Sequence, residues 1–181
     1  MSIKRFITKS AKSTKEIAAK FAEQILRQKP GKTAIILGLQ GELGSGKTTF
    51  LQGFAKGLGI KEKILSPTFI IMKKFKIPQV KILNTLKLTY SKISRPRYFG
   101  YRLFYHIDCY RLNKPEEILS LGFKRIISDP QNIVAIEWPE KIKSLLPNPS
   151  DREKLTTGQG NKISIKFNHI NKTTRKLTIK K

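Results

Sequence analysis

Apolar and polar positions along the chain alternate with two different periods. Ile17, Ala18, Phe21, Ala22, Ile25 and Leu26 recur at i, i+1, i+4 and i+5, which predicts a helix with one apolar face. Ser13-Thr14-Lys15-Glu16 ahead of it has the form of a capping box, and Pro30-Gly31 supplies a stop. Thr33 to Leu39 is a continuous apolar run of strand length, as expected of a parallel strand buried on both faces. Thr48 to Leu58 sets Phe50, Leu51, Phe54 and Leu58 on one helical face and stops at Gly59.

Further along, Thr68 to Phe75 reads as extended and Leu103 to Tyr110 as a strand. Pro115 with Glu116 and Glu117 predicts a helix start, since proline suits the first turn and acids suit the positive dipole end; Gly122 closes it. Asn132 to Glu137 is another short apolar strand. Ile163, Ile165 and Phe167, then Leu177 and Ile179, alternate with polar residues, so residues 162–180 read as a C-terminal hairpin. Asp151 to Asn161 is polar and reads as a loop, and Ile3 to Ile7 as a short opening strand. Strands alternating with helices predict an α/β chain: one three-layer domain over residues 1–181, with a mostly parallel sheet and antiparallel edge strands.

Composition changes this picture little. Of 181 residues, 37 are basic and 12 acidic, a formal charge of +25 that invites an anionic partner such as nucleic acid. Lysines outnumber arginines 28 to 9 and isoleucines number 24, which equally fits a drift in residue usage. The longest apolar run is far shorter than the ~20 residues of a membrane helix. The lone Cys109 excludes an internal disulfide framework and fits a reducing compartment, the cytoplasm. The first fifteen residues hold five basic and no acidic side chains, a transit-peptide trait, but also read as the opening of the fold.

Gly41-Glu42-Leu43-Gly44-Ser45-Gly46-Lys47-Thr48 matches G-x-x-x-x-G-K-[ST], the P-loop, between an apolar strand and an amphipathic helix, which makes the expected α/β domain one of the P-loop NTPase kind. Glycines at these positions let the backbone turn its N–H groups onto a phosphate, and the helix N-terminus adds donors and a positive field. Lys47 then reaches the β- and γ-phosphates and the Thr48 hydroxyl a Mg²⁺ ion. The pattern points to a nucleoside triphosphate without naming the reaction. Such a site also needs an acid at the end of a neighbouring strand, and two stand there: Asp108 and Glu137. Glu137 ends the cleaner buried strand. Thr68, in Ser66-Pro67-Thr68-Phe69, lies where a switch loop would touch the metal or γ-phosphate.

In this order the motifs resemble the TsaE family of bacterial ATPases. The resemblance runs through Thr14, G-E-L-G-S-G-K-T-T at 41 to 49, S-P-T-F at 66 to 69, H-I-D-C-Y-R-L at 106 to 112, P-E-E-I-L-S-L-G at 115 to 122 and E-W-P-E at 137 to 140. It implies ATP and Mg²⁺ as cofactors. Gly41, Glu42, Leu43, Gly44, Ser45, Gly46, Lys47, Thr48 and Thr49 would hold the nucleotide, with Thr14 near its base and Thr68 near its end. Thr48 and Glu137 would hold the metal, and Asp108, Glu137 and Lys47 would support hydrolysis. The family acts with a threonylcarbamoyl-transferase complex of TsaD- and TsaB-type subunits that modifies adenosine 37 of tRNAs reading ANN codons. Trp138 would stand beside the site.

Two departures stand out. Glu42 and Ser45 replace the family's usual Asp and Ala, at what are expected to be solvent-facing turn positions. Residues 76–102 form a longer connection than usual, and the span from Lys63 to Ile107 holds ten basic and no acidic residues. Tyr90, Tyr98, Phe99 and Tyr101 lie within this insert, and aromatics among cations suit tRNA contact as well as a plain surface loop. The competing activity is a small kinase using Arg95, Arg97 and Arg102 as a lid. A guanine-reading role for Asn113-Lys114-Pro115-Glu116 is weaker, since it opens a helix and no D-x-x-G follows Asp108.

Overall fold

Strands β1 (Ile3–Thr8), β2 (Ile35–Gln40), β3 (Met72–Lys76), β4 (Leu103–Asp108), β5 (Asn132–Glu137), β6 (Lys162–His169) and β7 (Arg175–Lys180) form one sheet in the order β1-β7-β6-β2-β5-β4-β3. The computed structural model describes residues 2–67, 70–78, 100–147 and 162–181. Strands β6, β2, β5 and β4 are parallel neighbours, while β3 and β7 run antiparallel at the two sides. The predicted C-terminal hairpin is β6 and β7, and β7 also receives β1. The α/β reading with antiparallel edges holds.

Burial explains the central strands. Every residue of β5 is buried, and β2 is buried from Ile35 to Leu39, so both read as unbroken apolar runs. Helices α1 (Ala11–Leu26) and α2 (Lys47–Gly57) cover one face of the sheet. Their shared core is aromatic, with Phe21, Phe50, Phe54, Phe104 and Phe167 in mutual ring contact. The other face carries 3₁₀ segments at Pro115–Leu121 and Pro139–Leu145 and the short helix α3 (Phe123–Ser128), which enclose Ile36, Ile107, Val134 and Ile136.

Where α1 crosses α2 the backbones nearly touch. A Cβ on Gly53 would lie 2.3 Å from the Lys15 carbonyl oxygen, and one on Gly57 2.4 Å from that of Ala19. Only glycine permits this approach.

Several boundaries differ from the pattern. Helix α1 starts at Ala11, and its capping box pairs Ser10 with Ser13, not Ser13 with Glu16: Ser13 N–H donates to Ser10 Oγ at 3.1 Å and Ser10 N–H to Ser13 Oγ at 3.2 Å. It ends at Leu26, before Pro30-Gly31. Pro115–Leu121 is a 3₁₀ segment closed by Gly122 in the left-handed region, and α3, which lacks a long apolar period, follows at once. The insert leaves a hairpin whose base is sheet-like, since Ile77 N–H donates to the Arg102 carbonyl at 2.9 Å. Tyr101 is fully buried in the core, so it is no part of an exposed aromatic surface. Most of the insert, with Tyr90, Tyr98, Phe99, Arg95 and Arg97, lies outside the described residues, as do Thr68 and the Asp151 to Asn161 loop.

Candidate functional site

The site forms where β2, β5 and β4 end side by side. Leu39 of β2 pairs with Glu137 of β5, and Glu137 with Asp108 of β4, so both acids stand in register at one sheet edge. This is the carboxyl end of a parallel sheet, where ligands of α/β folds sit. Helix α2 begins at the same place. Its N-cap is Gly46, with φ 98°, and Gly41, with φ 151°, has no room for a side chain: a Cβ there would meet the Phe167 carbonyl oxygen at 2.8 Å.

A cleft of about 290 Å³ opens over these ends, lined by residues 43–49, Ser66, Asp108, Tyr110, Glu137 and Trp138. Lys47 Nζ donates to the carbonyls of Gly41 at 2.8 Å and Glu42 at 3.0 Å and lies 4.3 Å from the centre of the Trp138 ring. Burial pushes its ammonium below the ordinary lysine range, and the charges of Glu137, Asp108 and Glu140 pull back against that. The Thr48 hydroxyl donates to Glu137 Oε1 at 3.2 Å. Asp108 accepts from Ser66 Oγ at 2.6 Å and from the Tyr110 N–H at 3.0 Å. These bonds join the P-loop helix, two strand ends and the Ser66 segment.

Of two neighbours of the acids, His106 escapes a reading of the sequence, while Trp138 is expected there only as what the resemblance implies. His106 is fully buried, with Nε2 2.9 Å from Glu137 Oε1, but a histidine inside an apolar strand reads as core. Trp138 takes a left-handed backbone, φ 59° and ψ 51°, rarely adopted by a bulky residue. Its N–H donates to the Leu39 carbonyl at 3.2 Å and its ring packs 5.3 Å from that of Tyr110. The turn thereby folds the indole back over Lys47. The resemblance implies a place beside the site for Trp138 without giving it a role.

Not every expected residue gathers here. Thr14 does not line the cleft, and its hydroxyl donates to Thr8 Oγ1 at 2.9 Å in the wedge between β1 and α1. Glu42 is exposed as expected. Ser45 is not: it is 1% exposed, with its hydroxyl unpartnered among the described residues, because the loop folds over it against Gly41. Cys109 beside Asp108 is buried, and burial pushes its thiol up to about 12, so it offers no thiolate. A larger groove of about 540 Å³, with Lys15, Lys56, Lys61 and Lys63 on its walls, contains none of the loop.

The donors fit a nucleotide with magnesium. Thr48 and Glu137 offer hard oxygen ligands at one point, as Mg²⁺ takes when phosphates complete its shell. The loop's turns and the N-terminus of α2 suit phosphate. No described helix is long and apolar enough to cross a membrane.

The family model of the Threonylcarbamoyl adenosine biosynthesis protein TsaE matches residues 8–177. The tRNA threonylcarbamoyladenosine biosynthesis protein TsaE of Rickettsia prowazekii is 35% identical over 141 residues, 77% of each chain. Its Haemophilus influenzae counterpart is 32% identical over 128 residues, 71% of this chain and 66% of the relative. The crystal structure of Bacillus subtilis YdiB superposes with a TM-score of 0.62 over 98% of this chain and 84% of its own, at 24% identity, which supports the fold alone. The chain belongs to the TsaE family of threonylcarbamoyl adenosine biosynthesis proteins.

Proposed function

We propose that this chain is a Mg²⁺-dependent ATP-binding protein and weak ATPase, stimulated by the threonylcarbamoyl-transferase complex it serves. Family membership supports the role in tRNA threonylcarbamoyladenosine formation. The observation that carries the ATPase reading is the convergence of Lys47, Thr48, Asp108 and Glu137 on one cleft at the sheet edge.

In this reading Lys47 leaves the Gly41 and Glu42 carbonyls for the β- and γ-phosphate oxygens. Thr48 and Glu137 hold magnesium, which when bound neutralises developing charge on the phosphates. Asp108 orients the attacking water, and its bond to Ser66 ties that water site to the loop leading toward Thr68, the expected phosphate sensor. Thr14 orders the β1–α1 corner, where the base would lie. The partners are subunits of TsaD and TsaB type, and the modified base is adenosine 37 of tRNAs reading ANN codons. The work is cytoplasmic.

Complementation of a strain lacking this ATPase, scored by mass spectrometry of the modified nucleoside, tests the reading. Restored modification by the parent chain but not by Lys47→Ala or Glu137→Ala is expected; restoration by both variants overturns it. In vitro, ATP turnover rises when the transferase complex is added. Robust transfer of the γ-phosphate to a small metabolite would favour the kinase instead.

A further inference from the structure

Glu137 receives two donors on one oxygen. Thr48 Oγ1 lies 3.2 Å from Glu137 Oε1 and His106 Nε2 lies 2.9 Å from that same atom. Neither contact uses Oε2. The two donors differ in permanence. The Thr48 hydroxyl belongs to the mouth of the cleft and, in the proposed reading, turns to the metal when nucleotide arrives. His106 is fixed from behind: it sits in β4, paired with Ala135 of β5, and is completely buried.

The histidine's other nitrogen explains which way the bond runs. Nδ1 is buried without a partner among the described residues. A bare lone pair left alone there is less costly than an unpaired N–H, so Nε2 carries the hydrogen and donates to the carboxylate.

We propose that His106 is a positioning residue that holds Glu137 by Oε1, and so keeps the carboxylate at the cleft for the metal, once Thr48 has let go. Second-sphere partners of this kind orient a liganding carboxylate, and their loss costs about 10–100-fold in metal affinity or activity. A carboxylate without its rear donor would rotate freely about its last bond after Thr48 departs. The inference rests on the reading of Glu137 as the metal-side acid.

Two substitutions separate donation from packing. His106→Phe keeps a ring in the strand but removes the donor; His106→Gln places an amide N–H near the position of Nε2. The readouts are the Mg²⁺ concentration giving half-maximal binding of a fluorescent ATP analogue, and kcat and KM for ATP. For His106→Phe the Mg²⁺ half-point should rise about tenfold and kcat fall by a similar factor. Analogue affinity in saturating Mg²⁺ should stay within about threefold, and His106→Gln should recover most of the loss. An unchanged Mg²⁺ half-point in folded His106→Phe overturns the proposal, as does a His106→Gln protein that is folded and equally impaired. Glu137→Gln is the control: if it too leaves the Mg²⁺ half-point unchanged, the metal-side reading of Glu137 fails instead.

Discussion

The ammonium of Lys47 stands 4.3 Å from the centre of the Trp138 indole while donating to two carbonyls of its own loop. Trp138 is the only tryptophan in the chain. A cation over an indole face perturbs its emission, so movement of Lys47 toward a phosphate is visible optically. Titration with an ATP analogue should give a saturable change in tryptophan fluorescence. Lys47→Ala should start from a different emission and show no nucleotide-dependent step. A parent protein that binds nucleotide by calorimetry with flat fluorescence would contradict the exchange.

The same lysine sets a pH dependence. Its folded pKa lies below the ordinary lysine value, so above the folded pKa the unfolded chain binds more protons than the native one. The penalty of burying the charge is fully present at neutral pH and is relieved as pH rises toward 10.5. The difference in unfolding free energy between Lys47→Met and the parent should therefore shift in the parent's favour from pH 7 to pH 10. Urea melts across that range check it; a difference independent of pH would remove the assigned cause.

Asp108 and Glu137 are adjacent in register, yet their partners differ. Asp108 is tied to Ser66, Glu137 to Thr48. Asp108→Asn should lower kcat at least ~100-fold with nucleotide affinity within ~3-fold, the pattern of a group needed only in the transition state. Glu137→Gln should instead weaken Mg²⁺-dependent nucleotide binding. Steady-state kinetics paired with calorimetry distinguishes them, and identical phenotypes would merge the two roles.

The helix crossing gives a test independent of chemistry. A methyl group on Gly53 would fall 2.3 Å from the Lys15 carbonyl oxygen, which neither backbone can yield without parting α1 from α2. Gly53→Ala should cost about 1–3 kcal/mol or more, the usual range for overpacking. At roughly 2–4 °C per kcal/mol for a chain of this size, the melting temperature should fall measurably. Thermal melts of Gly53→Ala beside the parent chain check it; equal melting of both would deny the tight crossing.

Much of this was legible from residue order. β5 has the bounds its apolar run predicts, because a fully buried parallel strand needs no alternation to be recognised. The loop and both acids were found because their spacing carries chemistry. What escaped depends on tertiary register. That Asp108 and Glu137 are lateral neighbours follows from the β4–β5 pairing, which no local pattern encodes. Ser45 reads as a turn residue and is buried only because the loop closes over it. The α1 start was misplaced because two serines and a threonine all suit a cap, and the choice of Ser10 rests on its extended backbone.

In the proposed reading, the bonds of Lys47 to its own loop make nucleotide binding a trade. Before any ligand enters, the ammonium already holds two neutral acceptors, the carbonyls of Gly41 and Glu42. The ammonium's Coulomb attraction to a charged oxygen exceeds its attraction to a neutral carbonyl, so the trade favours a ligand in proportion to the negative charge it offers. A nucleoside or monophosphate presents little to outbid the loop's own oxygens, whereas a triphosphate presents the most. On that reading the loop imposes a charge threshold on whatever enters the cleft, and a product that has lost its γ-phosphate would stand closer to that threshold than the substrate.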